Sequence, residues 1–177
     1  SALTGTGRAH GTFQDMVLRT AVLEDALESL PQMSGKTAVW PGGNRPYVYG
    51  AGFFTYLVDR YGPTRMAEFV RAVGNQLVPF RLNAAASKTF GTTFNTAYEE
   101  WIQTLRDHYA TLMTQITSLR PLTHSDSLSS AGQWALYPRV APDGNTVAYA
   151  RANGASVPGI YLLSPTTSVS RSLTRSN

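Results

Sequence analysis

The stretch Pro46-Tyr47-Val48-Tyr49-Gly50-Ala51-Gly52-Phe53-Phe54-Thr55-Tyr56-Leu57-Val58-Asp59-Arg60-Tyr61-Gly62 is the most apolar and aromatic run in the chain. Phe53, Phe54, Leu57, Val58 and Tyr61 fall at i, i+1, i+4, i+5 and i+8, which is one face of an α-helix. Pro46 precedes the run and Gly62-Pro63 closes it, the expected punctuation of a helix. A helix this apolar needs other helices to bury it. The stretch therefore predicts the central helix of a helical domain, with Tyr47 at its start.

The flanking sequence supplies those helices. Thr12 to Ser29 reads as a helix, with Thr12 and Asp15 placed as a capping-box-like start and Pro31 as the stop. Phe13, Met16, Val17, Leu23 and Leu27 mark its buried face, and Glu24, Asp25 and Glu28 its polar one. Residues 32–46 form a connection in which Pro41, Gly42, Gly43 and Pro46 argue against regular structure. After the central helix, Pro63 or Thr64 opens another through about Gly74, with Met66, Phe69, Val70 and Val73 at i, i+3, i+4 and i+7. Gln76 to Leu82 is a break, Asn83 to Phe90 a short helix ended by Gly91, and Thr93 to Leu119 the longest helix. On that last helix Phe94, Tyr98, Trp101, Leu105, His108, Leu112 and Ile116 form one stripe, which Tyr109 can join in place of His108.

Pro121 to Ala131 is serine-rich and aperiodic, and from Gln133 the period changes to two. Pro138 to Asn145 reads as a strand running into a Pro142-Asp143-Gly144 turn, and Thr146 to Arg151 as a second strand. Asn153-Gly154 reads as a turn, Gly159 to Ser164 as a third strand, and Ser170 to Thr174 as the start of a fourth. The expected fold is a mainly α domain of four or five helices over residues 1–120, a linker over 121–132, and a short antiparallel β-meander over 133–177.

Composition narrows the function classes. Fifteen basic residues against 11 acidic give a net charge of +4, and no run of five like charges occurs, so a nucleic-acid surface is not indicated. Cysteine is absent, which removes disulfides and thiolate metal sites. No stretch of 18 apolar residues exists, so no segment reads as membrane-spanning.

The pattern Pro46-Tyr47-x-x-Gly50, followed by an aromatic-rich helix ending at Gly62, resembles the segment that follows the zinc ligands in gluzincin metallopeptidases. It is similar to the aminopeptidases of the leukotriene hydrolase kind and to the shorter bacterial peptidase MA-like domains. Phe90-Gly91 followed by Trp101 resembles the signature that closes the latter. The resemblance covers about residues 1 to 110. It implies that Tyr47 stabilises the oxyanion of a tetrahedral intermediate, a role a phenol O–H can fill. Read from the residues alone, Tyr47 is a half-buried packing tyrosine first and an oxyanion donor second. Arg45 and Trp40 are candidates for shaping a substrate cleft, with Trp40 open to the alternative of pinning the loop to the core. Further on, Pro138-Arg139-Val140-Ala141-Pro142-Asp143-Gly144-Asn145-Thr146-Val147-Ala148-Tyr149-Ala150 resembles one blade of the TolB-like propeller repeats, with Ala141 where those repeats usually carry serine. One blade cannot close a ring, so the resemblance implies a propeller that continues beyond this chain.

A gluzincin also needs a His-Glu-x-x-His helix and a further glutamate to hold zinc. The three histidines, His10, His108 and His124, show no i, i+4 pair. The resemblance therefore places zinc, its ligands and the general base outside this chain, and no metal ligand is assigned within it. Glu99-Glu100 fit the start of a helix better than an acid/base pair. Gly5-Thr6-Gly7 and Gly50-Ala51-Gly52 lack the strand–turn–helix setting of a nucleotide loop. The expectation is a part of a zinc-dependent peptidase-like protein, inactive alone, with a peptide or protein as substrate and the rest of its own polypeptide as partner. By the same resemblance its place is the bacterial cell envelope, periplasmic or extracytoplasmic. The alternative is a non-catalytic helical scaffold, a protein-interaction module attached to a propeller.

Overall fold

The computed structural model describes residues 11–35, 40–128, 134–152 and 157–174. The expected lead-in with Gly5-Thr6-Gly7 and His10, Lys36, the end of the linker from Ser129, and the Asn153-Gly154 turn lie outside them. Two compact units divide between Leu122 and Thr123. The first is helical and the second is a four-stranded antiparallel sheet, as the two sequence periods imply.

The helical unit contains α1 (Thr12–Leu23), α2 (Leu30–Met33), α3 (Arg45–Gly74), α4 (Leu82–Phe90) and α5 (Phe94–Leu119). The 30 residues of α3 are broken at Gly62, with φ 84° and ψ 158°. Pro63 forces an extended ψ on the residue before it, and only glycine takes that ψ with a positive φ at no steric cost. The Gly62-Pro63 boundary is therefore a kink between two helical rods.

The first rod carries the core. Phe53 and Leu57 are fully buried. The Phe53 ring lies 5.1 Å from both Phe94 and Tyr98 and 5.5 Å from Trp101. Edge-to-face packing of this kind adds to the burial of each ring. Gly52 is the point of closest approach to α5: a Cβ there would stand 2.7 Å from Trp101 Cζ2 and 3.3 Å from Leu18 Cδ1. Gly52→Ala is expected to cost about 1–3 kcal/mol through overpacking. Urea unfolding checks this, and an unchanged midpoint would show that Trp101 yields freely.

The corner from α4 to α5 is tight. Gly91 adopts φ 78° and its N–H bonds Ser87 O at 3.2 Å, ending α4. Thr93 caps α5, its Oγ1 accepting from the Thr96 N–H at 3.0 Å. This corner sets Phe90 and Phe94 side by side, and Phe69 packs on both at 5.0 and 5.5 Å.

Three helix expectations change. First, α1 stops at Leu23 rather than Ser29 and has Gly11, not Thr12, at its N-cap. Asp25 takes φ 48°, its N–H bonds Val22 O, and the Ala26 N–H bonds Ala21 O at 2.8 Å. That pair of bonds is a Schellman ending with aspartate in the position usually held by glycine. Second, the buried face of α1 is Val17, Leu18 and Ala21, while Met16 and Leu23 are exposed. Third, α5 does not pack along its full length. Phe94, Tyr98, Trp101 and Tyr109 are buried, but Ile116 and Leu119 are exposed, because the 12-residue α1 is too short to cover a 26-residue neighbour.

In the sheet unit, β1 (Trp134–Val140), β2 (Val147–Ala152), β3 (Gly159–Leu163) and β4 (Ser170–Ser172) follow one another as an antiparallel meander. The strand expected near Pro138 begins earlier, at Trp134. Pro138 sits in a register shift between Leu136 and Arg139, with Tyr137 at φ 57°. Proline in an edge strand is tolerated at such a bulge because it has no N–H to offer the ladder. The Ala141-Pro142-Asp143-Gly144 turn closes as its residues dictate. Gly144, at φ 71°, bonds Ala141 O at 2.9 Å, and Asp143 Oδ1 accepts from the Asn145 N–H at 3.0 Å. Among the described residues of this unit Tyr149 and Leu163 are buried, and the Arg151 guanidinium lies 4.9 Å from the Tyr161 ring centre.

Candidate functional site

The loop before α3 holds more structure than its prolines and glycines suggest. Gly42–Asn44 form one 3-10 turn, with Gly42 at φ 61°, and α3 begins at Arg45. Pro46 then falls in the first turn of the helix, where a missing N–H breaks no helical bond. Tyr47 lies in the same turn and is 57% exposed. Along α3 the residues Tyr47, Ala51, Phe54 and Val58 share a face opposite the buried Tyr49, Phe53 and Leu57, and Phe54 is 40% exposed. Beside Tyr47 a Cβ added to Gly50 would meet no atom within 4 Å. An exposed tyrosine thus stands at the N-terminal end of a long helix.

Arg45 points the other way. It is 7% exposed, and its Nη2 meets Glu28 Oε1 at 2.6 Å while its Nη1 donates to Gln32 O at 3.3 Å. Glu28 is held by its backbone as well. Its N–H donates to the Tyr49 hydroxyl at 3.3 Å, and its carbonyl accepts from the Tyr98 hydroxyl at 2.7 Å. Glu28 is therefore a residue of the connection, not of the polar face of α1, and it ties that connection to α3 and α5 at once. Just after it, Ser29 and Gln32 close a capping box that starts α2, the Ser29 N–H donating to Gln32 Oε1 at 2.9 Å. Trp40 lies ahead of the 3-10 turn and is partly exposed. Of the three candidate residues, Arg45 and Tyr47 share one helical turn but face opposite ways.

Burial pushes the hydroxyls of Tyr49, Tyr98 and Tyr109 above the ordinary tyrosine range, and the Asp15 carboxylate bonded to Tyr109 at 2.8 Å adds to the last. All three stay neutral in the physiological range, so they serve as fixed hydrogen-bonding posts rather than proton carriers. The grooves nearby are shallow. One of about 330 Å³ runs between α1 and the start of α3, lined by Thr12, Asp15, Ala51, Gly52 and Tyr109. Another of about 470 Å³ is lined by Pro31, Asn95, Tyr98, Ile102 and Arg106.

Among the described residues no three His, Asp or Glu side chains converge on one point. His108 rides the exposed side of α5 beside Tyr109, and His124 pairs with Asp126 at 3.1 Å. The described residues therefore do not fit a zinc site. No helix among them is long and apolar enough to cross a membrane. Compared with family models, curated proteins and solved structures, the chain matches none.

Sequence reasoning missed Glu28 and its two tyrosines. One signal was present: Ser29-Leu30-Pro31-Gln32 has a capping residue, a first-turn proline and glutamine three places on, which marks a new helix start.

Proposed function

We propose that this chain forms the helical wall of a peptidase-type cleft in which Tyr47 donates a hydrogen bond to the developing oxyanion. The observation that carries this reading is the exposure of Tyr47 on the first turn of α3, in the Pro-Tyr-x-x-Gly setting, while the neighbouring Arg45 is locked inward. The helix terminus favours negative charge at that position, and a phenol held there needs no reorganisation to meet it. On this reading zinc and the general base belong to residues beyond these 177, and this chain contributes positioning and charge stabilisation only. The sheet unit is proposed as a propeller-type blade. Its support is the meander order and the Pro-Asp-Gly turn. An extracytoplasmic location follows from the same likeness.

The test is Tyr47→Phe in the protein that carries the metal-holding part. Peptide turnover is expected to fall about a hundred-fold, with KM and the melting temperature unchanged. Unchanged turnover would end the assignment. The withdrawal of Arg45 into a structural pair favours a second reading, a helical scaffold without chemistry. In that case the intact protein hydrolyses no peptide with or without Tyr47.

A further inference from the structure

The turn between α3 and α4 is built to project apolar side chains. The Asn75 N–H bonds Arg71 O and the Gln76 N–H bonds Val73 O, which ends α3. Gln76 then closes the loop with its own amide: Nε2 donates to Arg81 O at 2.9 Å, and Oε1 accepts from the Arg81 N–H at 3.1 Å. One side chain thus ties the two ends of the Leu77-Val78-Pro79-Phe80 segment together. Leu77 and Phe80 are 103% and 91% exposed, and Val78 between them is exposed too. Phe80 is held at φ 66°, a region bulky residues rarely visit. Exposed apolar clusters of this kind on an ordered turn mark a surface that is meant to be covered.

The charge around the tip says what covers it. From Phe69 to Tyr98 the chain carries Arg71, Arg81 and Lys88 and no acidic residue, and the nearest acids in sequence are Glu68 and Glu99. Arg71 closes α3 and Arg81 closes the turn, so cations flank the tip on both sides. Leu77 and Val78 stand out in solvent, while Phe80 and Arg81 also edge a hollow of about 430 Å³ towards α4. We propose that the α3–α4 turn is an insertion tip for an anionic lipid bilayer, with Leu77, Val78 and Phe80 entering the acyl boundary and Arg71 and Arg81 meeting the headgroups. Apolar burial and electrostatic attraction act together in such contacts, and arginine stems extend along the apolar side while their heads stay wet. The inference is independent of any catalytic role for Tyr47.

Vesicle flotation with the whole protein tests it, using phosphatidylcholine vesicles with and without phosphatidylglycerol. Binding is expected on the anionic vesicles, weakening as salt is raised. Leu77→Ser with Phe80→Ser should lower that binding roughly tenfold or more. Arg71→Gln with Arg81→Gln should lower it by roughly ten- to thirty-fold. All four positions are exposed, so circular dichroism and the melting temperature should stay as in the parent. Three results would overturn the proposal: no binding by the parent, equal binding to neutral vesicles, or variants that bind like the parent. Concentration-dependent dimerisation that Leu77→Ser/Phe80→Ser abolishes, with no vesicle binding, would assign the tip to a second copy of this chain instead.

Discussion

Arg45→Ala is expected to destabilise the helical unit by about 3–5 kcal/mol, the cost of leaving one partner of a buried ion pair uncompensated. The Glu28 carboxylate, withdrawn from water with Arg45, would lose its only charged partner among the described residues. The carbonyl of Gln32 would lose the Arg45 Nη1 donor and keep the Gly35 N–H at 3.0 Å. Urea unfolding followed by circular dichroism measures the loss. Replacing both partners together, Arg45→Met with Glu28→Leu, should recover most of it, because the desolvation of two charges is removed along with their attraction. A loss below about 1 kcal/mol for Arg45→Ala would place the pair in the range of surface salt bridges.

Phe53→Ala is expected to cost about 3–5 kcal/mol, the range for emptying a large aromatic site in a packed core. Phe53 touches rings from both ends of its surroundings: Phe94, Tyr98 and Trp101 on α5, and Tyr56 one turn on along α3. None of them can follow a shrinking neighbour far, since Gly52 already brings the α3 backbone against Trp101. Phe53→Leu, which keeps most of the volume, should cost clearly less. Denaturant midpoints read both variants, and Trp101 fluorescence should shift in Phe53→Ala because the indole loses one face of its packing. Equal midpoints for parent and Phe53→Ala would mean that the core closes elsewhere.

What the sequence made legible follows from how local each signal was. Gly62-Pro63, Gly91 and the Pro142-Asp143-Gly144 turn were readable because glycine and proline restrict the backbone by themselves. The switch from helical to alternating period marks the change from helices to a four-stranded antiparallel sheet. The end of α1 was not readable, because Asp25 occupies a left-handed position that sequence patterns reserve for glycine. The direction of Arg45 was hidden for a different reason. Its partner Glu28 becomes a neighbour only through the folding back of the 24–33 connection onto α3. For Tyr47 the structure adds only its exposure on the first turn of α3.

The two tyrosines that grip Glu28 do so through its peptide groups, not its carboxylate. Such contacts count residues and ignore their chemistry. The passage from Leu23 to Ser29 should thus accept changes of side chain far more readily than changes of length. One residue added or removed there would slide a different peptide group under both phenols, pull Ser29 out of its box with Gln32, and move the carboxylate that Arg45 needs. The spacing between α1 and α2 is a ruler against which the first turn of α3 is set.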